Sequence, residues 1–210
     1  ALPQVYMSDG VFGTTDLGGF LGRAVPICGV LGDSHGALLG QGCFAPGTAK
    51  ATYGTGSSVM MQTGDACIES TGGLVTSLAW GLSGRVNYVL EGNLNYTGAV
   101  ISWLKKDVGL LRTDAESEQL ARQAHPGDRT YFVPAFTGLG APYWDSEATG
   151  LLTGITRTTG KAEIVRACLD SIAYQITDLL ECMGRDAALP LAELRVDGGA
   201  SVSDIPVSYT

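Results

Sequence analysis

The sequence is poor in positive charge and has no long apolar run. Lys and Arg total 13 against 21 Asp and Glu, which gives a formal net charge of −8. This charge argues against nucleic acid or an acidic membrane surface as the main partner. No apolar run reaches the roughly 18 residues that a membrane-spanning helix needs, and no signal peptide is visible.

Cysteines with metal-ligand spacing are also absent. The five cysteines are odd in number and scattered, at Cys28, Cys43, Cys67, Cys168 and Cys182. All lie in apolar or mixed runs, so we predict reduced, buried thiols in a cytoplasmic protein and no metal ligands from the chain.

Glycine, in contrast, is abundant, with 30 residues in a chain of 210. This is about twice the average usage of roughly 7%. Such a content favours tight turns and close backbone approaches, as found in nucleotide sites. The length suits one large domain or two small ones.

An acid at the start of a helical pattern is the first candidate for chemistry. Asp33 follows the apolar pair Val30-Leu31 and precedes a pattern of small residues. From the residues alone, Asp33 is explained equally well as a helix N-cap or as a general base.

A glycine-bracketed turn follows. The runs 49–53 and 57–61 are rich in β-formers and flank Gly54-Thr55-Gly56. This pattern predicts a hairpin. The same turn could hold a phosphate through backbone N–H groups and the Thr55 hydroxyl. A base together with a phosphate-holding turn favours phosphoryl transfer.

The rest of the chain reads as mixed α/β. The periodicity predicts strands at 74–80, 85–90, 131–134 and 194–196, a hairpin-like segment at 150–156, and helices at about 94–106, 115–123 and 161–183. A ligand-facing turn, Asp197-Gly198-Gly199, follows the last strand, where ligand sites usually lie in α/β folds.

Several collinear stretches resemble the FGGY family of carbohydrate kinases, most closely its glycerol kinase members. They include GDSHGALLGQ (32–41), TYGTGSS (52–58), YFVPAFTGLGAPYWD (131–145) and GLLTGITRTTGKAEIVRACLD (150–170). The resemblance covers residues 1–203. It implies an α/β fold of the ribonuclease-H-like, actin-like ATPase type, a mixed sheet with flanking helices.

The resemblance also implies a domain organisation. Residues 1–30 correspond to an interdomain lead-in with the first strands, in which a strand delivers the catalytic acid. Residues 31–210 correspond to the C-terminal nucleotide-binding domain, incomplete at its C-terminus. We expect a piece of a longer protein that lacks its N-terminal domain, and we expect self-association through an exposed apolar strand.

On the substrate side, the resemblance makes Asp33 the general base that acts on a substrate hydroxyl. Ser34 and Ser58 fall at substrate-binding positions, where glycerol kinases carry an amide and an aromatic side chain. Both departures concern the substrate. His35 matches no catalytic position and is interpreted as structural.

On the nucleotide side, the resemblance assigns eight residues. Gly54, Thr55 and Gly56 would close on the β- and γ-phosphates, Gly98 and Ser102 would lie near the ribose and phosphates, and Gly198, Gly199 and Ser203 would lie on the adenine side. Ser102 and Ser203 stand where relatives carry Gln and Asn.

The function implied is transfer of a phosphoryl group from ATP, with Mg²⁺, to a hydroxyl of a polyol or sugar, glycerol being the leading substrate. One alternative is a nucleotide-binding piece without catalysis, which needs the missing N-terminal domain. Another is a chaperone- or actin-like ATPase, which the YGTGSS and GLGAPYWD stretches disfavour.

Overall fold

A computed structural model describes residues 2–202. The strands are β1 (Gly13–Thr15), β2 (Val25–Ile27), β3 (Thr48–Tyr53), β4 (Ser57–Gly64), β5 (Val75–Leu82), β6 (Arg85–Leu94), β7 (Tyr131–Val133), β8 (Leu151–Thr153) and β9 (Glu193–Gly198). The helices are α1 (Asp33–Gly40), α2 (Gly98–Lys106), α3 (Ala115–Ala121) and α4 (Lys161–Ala187), and a 3₁₀ turn covers Gly199–Val202.

Five strands form one mixed sheet in the order β5–β6–β4–β3–β9. The predicted hairpin of β3 and β4 is confirmed, and β5 and β6 form a second one. The second hairpin turns at Ser83 and Gly84, with φ of 51° and 77°. Positive φ at both central residues suits the twist of a two-residue hairpin. Within this sheet, as far as residues 2–202 show it, β9 pairs in parallel with β3 and the other neighbouring strands pair antiparallel.

The long helix α4 packs against one face of this sheet. Alternate residues of β3 and β4 point to α4, because strand side chains alternate between faces. The shared core includes Ala49, Ala51, Tyr53, Val59 and Met61 from the strands, with Ile172, Ile176, Leu179 and Met183 from α4. This burial fixes which face of β3 and β4 remains for other contacts.

The short helix α1 covers part of the opposite face. Leu38 packs there with Met60, Val89 and Trp80 in a separate buried cluster. The intervening residues of β3 and β4 therefore point to the α1 side, and several of them are polar.

Two predicted elements around the candidate site were wrong. β6 continues through Glu91-Gly92, and α2 begins only at Gly98. A Cβ on Gly92 would lie 2.5 Å from a methyl carbon of Leu179, so this glycine marks a close helix–sheet contact.

In the lead-in, β2 ends at Ile27, and the chain from residue 28 to residue 32 is irregular. No strand delivers Asp33.

The prediction for the thiols was right in part. All five cysteines are free, and Cys43, Cys168 and Cys182 are buried. Cys28 and Cys67 are exposed, because one follows the small β1–β2 sheet and the other lies in the loop after β4. Within residues 2–202, no helix is both long and apolar enough to cross a membrane.

Candidate active site

The turn between β3 and β4 is docked on the first residues of α2. The Gly54 carbonyl accepts a hydrogen bond from Gly98 N–H, and the Thr55 carbonyl accepts from Thr97 N–H and Ala99 N–H, each at 3.0 Å. The Thr97 hydroxyl also donates to the Gly54 carbonyl at 3.0 Å. The first N–H groups of a helix have no partner within the helix, so these carbonyls cap α2.

Two glycines make this docking possible. A Cβ on Gly98 would lie 2.6 Å from the Gly54 carbonyl oxygen, and a Cβ on Gly56 would overlap the Leu94 carbonyl oxygen. Backbone atoms are in the way at both positions, so no side-chain movement would relieve these contacts. Glycine in the GTG stretch is therefore needed for close packing of the turn as well as for the turn itself.

The groups that the turn leaves open differ from the prediction in one respect. Gly54 N–H donates to the Gly56 carbonyl at 2.8 Å and is not open. The N–H groups of Thr55 and Gly56 and the exposed Thr55 hydroxyl have no partner among the described residues. Two adjacent N–H groups and a hydroxyl are a suitable set for an anion.

A cavity of 1140 Å³ lies beside this turn. Five of the predicted nucleotide residues line it: Gly54, Thr55, Gly98, Ser102 and Gly199. Its wall also carries aromatic and basic side chains that the sequence analysis did not single out, namely Tyr96, Trp103, Phe136, Lys105 and Lys106. The volume is ample for a nucleotide, since ligand pockets typically measure about 300–1,000 Å³.

The turn after β9 reaches the same cavity. Gly198 has φ of 92°, and a Cβ there would overlap the Tyr53 carbonyl oxygen. Gly198 therefore permits the close approach of β9 to β3, while Gly199 lines the cavity. Ser203, predicted on the adenine side, lies outside the described residues.

The candidate base stands at the start of α1. Gly32 is the N-cap and Asp33 the first helical residue, so the N-cap interpretation of Asp33 was wrong. The Asp33 carboxylate is exposed, and its Oδ1 accepts a hydrogen bond from Ser34 N–H at 2.7 Å. A carboxylate in the first turn is favoured by the helix dipole. His35 pairs through Nε2 with the Ser77 hydroxyl at 3.2 Å, in keeping with its structural interpretation.

A buried lysine lies under the α1 side of the sheet. Lys50 of β3 is 0% exposed, and its Nζ donates to Thr52 Oγ1 and Ser58 Oγ, both at 3.1 Å. Burial lowers the pKa of Lys50, while the negative charges of Asp197, Glu91 and Asp33 act in the opposite direction. Lysine is almost never fully buried without such partners.

Asp197 completes this side of the sheet. Its Oδ2 accepts a hydrogen bond from Gln41 Nε2 at 2.8 Å, and the residue pairs in register with Thr52. Its Oδ1 is buried without a hydrogen-bond partner among residues 2–202. Asp197 thus accepts through Oδ2 and leaves Oδ1 without a donor among the described residues.

One hairpin therefore serves two regions. The tip of β3–β4 lines the cavity, while Ser58 and Thr52 of its stem face the side of the sheet that α1 and Asp33 flank.

Residues 49–208 match the sequence model described as "FGGY family of carbohydrate kinases, C-terminal domain". The chain belongs to the FGGY family of carbohydrate kinases. The actin-like ATPase fold inferred from the resemblance is confirmed.

Curated relatives of this FGGY chain include glycerol kinases. Those of Carboxydothermus hydrogenoformans and Desulfitobacterium hafniense are 48% and 47% identical over 208 residues, which is 99% of this chain and 42% of each relative. The chain thus spans about two fifths of the length of the relatives it matches.

Solved structures give the same result. The crystal structure of Plasmodium falciparum glycerol kinase with ADP matches with a TM-score of 0.88 and 32% identity, over 97% of this chain and 41% of that one. A xylulose kinase from Rhodospirillum rubrum matches with a TM-score of 0.81 at 21% identity, over 100% of this chain and 42% of that one. The second likeness supports the fold alone.

The FGGY resemblance located the glycines of the cavity but not Lys50 or the aromatic wall. Lys50 stands between two alanines in a short β-rich run, and nothing in the local pattern shows that it is buried. Its alternation with the core residues Ala49 and Ala51 was the available signal, since it places Lys50 opposite them.

Proposed function

We propose that this chain forms the nucleotide-side domain of a kinase that transfers a phosphoryl group from ATP to a hydroxyl of a polyol or sugar. Glycerol is the leading substrate. The observation that carries the proposal is the β3–β4 hairpin, which joins a nucleotide-sized cavity at its tip to a polar, acid-flanked surface along its stem.

The nucleotide part rests on the cavity and its glycines. Gly98 and Gly199 leave the backbone accessible at the wall, and Thr55 offers a hydroxyl and an N–H at the mouth. Backbone N–H groups suit a polyphosphate because they need no reorganisation to meet negative charge. The likeness to a glycerol kinase crystallised with ADP supports the same assignment.

The catalytic part assigns Asp33 as general base. The substrate hydroxyl gives its proton to the Asp33 carboxylate while its oxygen attacks the γ-phosphorus. The new O–P bond forms as the bond from the γ-phosphorus to the ADP oxygen breaks, in line. The exposure of Asp33 and its position in the first turn of α1 suit this role.

We expect Mg²⁺ to bind together with ATP, and this chain need supply few ligands to the ion. Among the described residues there is no group of three or more His, Cys, Asp or Glu placed to hold a metal. Magnesium in kinase sites is usually bound by one or two carboxylates together with phosphates and waters. When bound, the ion offsets negative charge on the phosphates.

The test needs the other wall of the cleft, since the chain covers 42% of its curated relatives. We would complete it with all the segments of the Carboxydothermus hydrogenoformans glycerol kinase that it does not match. ADP release with Mg-ATP would be measured on glycerol, xylulose, ribulose, erythritol and gluconate. The Asp33→Asn variant would be compared with Asp65→Asn, which removes an exposed carboxylate beyond the far end of β4.

We expect turnover on at least one compound and a loss of about 10²- to 10⁴-fold in kcat for Asp33→Asn, the usual contribution of a general base. Asp65→Asn should retain the parent rate. The chain alone should show no turnover, because Asp33 and the cavity provide only one side of a cleft. Equal rates for the two variants would remove the role of Asp33, and no turnover on any compound would remove the kinase proposal.

A further inference from the structure

The polar side of the central sheet carries a row of paired residues. In register, Thr52 of β3 pairs with Asp197 of β9 and with Ser58 of β4, and Ser58 pairs with Asn93 of β6. Directly paired residues share a face of a sheet. These four polar side chains therefore form one row across four strands, on the side that α1 covers in part.

Lys50 lies next to this row, two residues before Thr52 on β3 and on the same face of the sheet, where it pairs in register with Arg195. Its Nζ reaches the hydroxyls of Thr52 and Ser58, both at 3.1 Å, and is itself sealed from solvent. Among residues 2–202, no carboxylate lies within 4.0 Å of Nζ. The hydroxyls are thus the direct partners of the ammonium, and the surrounding acids act from a longer distance.

The chemistry of the ammonium fixes the direction of both hydrogen bonds. A charged lysine has three donors and no acceptor, so Ser58 Oγ and Thr52 Oγ1 must both accept. The proton of each hydroxyl then has to point away from Lys50. Ser58 donates to no described residue, and it is only half-buried.

The charge on Lys50 excludes the reverse direction, because only a neutral amine has a lone pair that could accept from a hydroxyl. Burial lowers the pKa of Lys50, but Asp197 on β9, Glu91 on β6 and Asp33 on α1 oppose that effect. Cys43 also acts on Lys50 with a small effect in the same direction as the acids. The acids that flank the row therefore act in favour of the charged lysine, against the larger effect of burial.

We propose that Lys50 is a positioning residue that fixes Ser58 as a hydrogen-bond donor to an oxygen of the carbohydrate substrate. This rests on the proposed kinase function and deepens it. The substrate should carry a hydroxyl or carbonyl oxygen above Ser58, as an acceptor. A compound with a bare carbon there should be a poorer substrate, since the Ser58 proton would lose its partner on binding.

The test uses the active fusion with the Carboxydothermus hydrogenoformans segments and the best compound of the panel. It compares that compound with its deoxy analogues, each lacking one hydroxyl. The variants are Ser58→Ala, Ser58→Thr, Lys50→Met and the double change Lys50→Met with Ser58→Ala. Lys161→Met, a surface lysine paired with Glu116 at 3.5 Å, serves as the control.

We expect Ser58→Ala to lower kcat/KM for the full substrate by about tenfold, the usual size of one hydrogen bond, with KM for ATP unchanged. For the one deoxy analogue that lacks the oxygen facing Ser58, kcat/KM should be the same in Ser58→Ala as in the parent enzyme. Ser58→Thr keeps a hydroxyl and should therefore keep the preference of the parent enzyme for the full substrate over that deoxy analogue. Lys50→Met should abolish this preference for the full substrate. In the double variant, kcat/KM should be no lower than in the less active of the two single variants.

An equal effect of Ser58→Ala on the substrate and on every deoxy analogue would overturn the inference. So would a Lys50→Met enzyme with the parent preference. If Lys50→Met does not fold, Lys50→Gln replaces it, because its amide can accept as well as donate and should weaken the same preference. Absence of turnover by the unmodified fusion would instead refute the kinase function on which the inference rests.

Discussion

Replacement of Gly98 by alanine tests the docking of the β3–β4 turn on α2. A Cβ at Gly98 would lie 2.6 Å from the Gly54 carbonyl oxygen, whereas ordinary contacts begin near 3.4 Å. The turn or the helix must therefore move by about 0.8 Å, taking this from ordinary packing distances. Three backbone hydrogen bonds of 3.0 Å join the same groups and would lengthen.

The expected cost follows from these contacts. Overpacking of a well-packed region costs about 1–3 kcal/mol, and each weakened hydrogen bond adds up to about 1 kcal/mol. Alanine recovers part of this through its helix propensity, up to about 1 kcal/mol. We expect Gly98→Ala to lower the free energy of unfolding by about 2 kcal/mol and to weaken ADP binding at least tenfold, about 1.4 kcal/mol.

The assay is urea unfolding followed by circular dichroism, together with calorimetric titration of ADP. Gly36→Ala is the matched control, because Gly36 lies inside α1 and a Cβ there meets nothing within 4 Å. That change should raise the unfolding free energy by about 0.5–1 kcal/mol. If Gly98→Ala behaved like the control, the turn would not be rigidly docked, and the account of the phosphate side would be wrong.

Two further predictions concern buried and hydrogen-bonded side chains. Burial raises the pKa of the Cys168 thiol to about 12, so a thiol reagent at pH 8 should label the two exposed cysteines and reach Cys168 only after unfolding, as peptide mass analysis would show. Burial alone would raise the pKa of Asp186, but hydrogen bonds from residues 70–72 prevail and lower it. The ionised carboxylate therefore stabilises the fold above the ordinary carboxyl pKa, and this contribution is lost as pH falls through the lower native value. Asp186→Asn should lower the free energy of unfolding by about 1–2 kcal/mol at pH 7 and reduce the loss of stability at acid pH. Asp65→Asn should change neither quantity.

The hairpin around Gly54–Gly56 was predictable because its signals are local. Two β-rich runs and a glycine-bracketed turn lie within one short stretch, and the structure has them at the expected places. The helix α4 was predictable for a similar reason, since its apolar periodicity is long. It runs to Ala187, a few residues past the predicted end.

Features that depend on distant partners were not predictable from the pattern. The predicted start of α2 near residue 94 was wrong, because β6 runs to Leu94 and its Gly92 is held against Leu179. Lys50 lies on a strand between β4 and β9, on the face that α1 covers in part, and its own segment specifies none of these neighbours. The parallel pairing of β9 with β3 joins segments on either side of α4, and no short motif encodes it.

The most direct test of the central claim is ADP binding to this chain, followed residue by residue through backbone amide NMR shifts. We expect saturable shifts at Thr55, Gly56, Gly98 and Gly199, with little change at Gly154, beside the separate β7–β8 sheet. Saturable binding that leaves the β3–β4 turn and Gly199 unshifted would contradict the assignment of the cavity to the nucleotide.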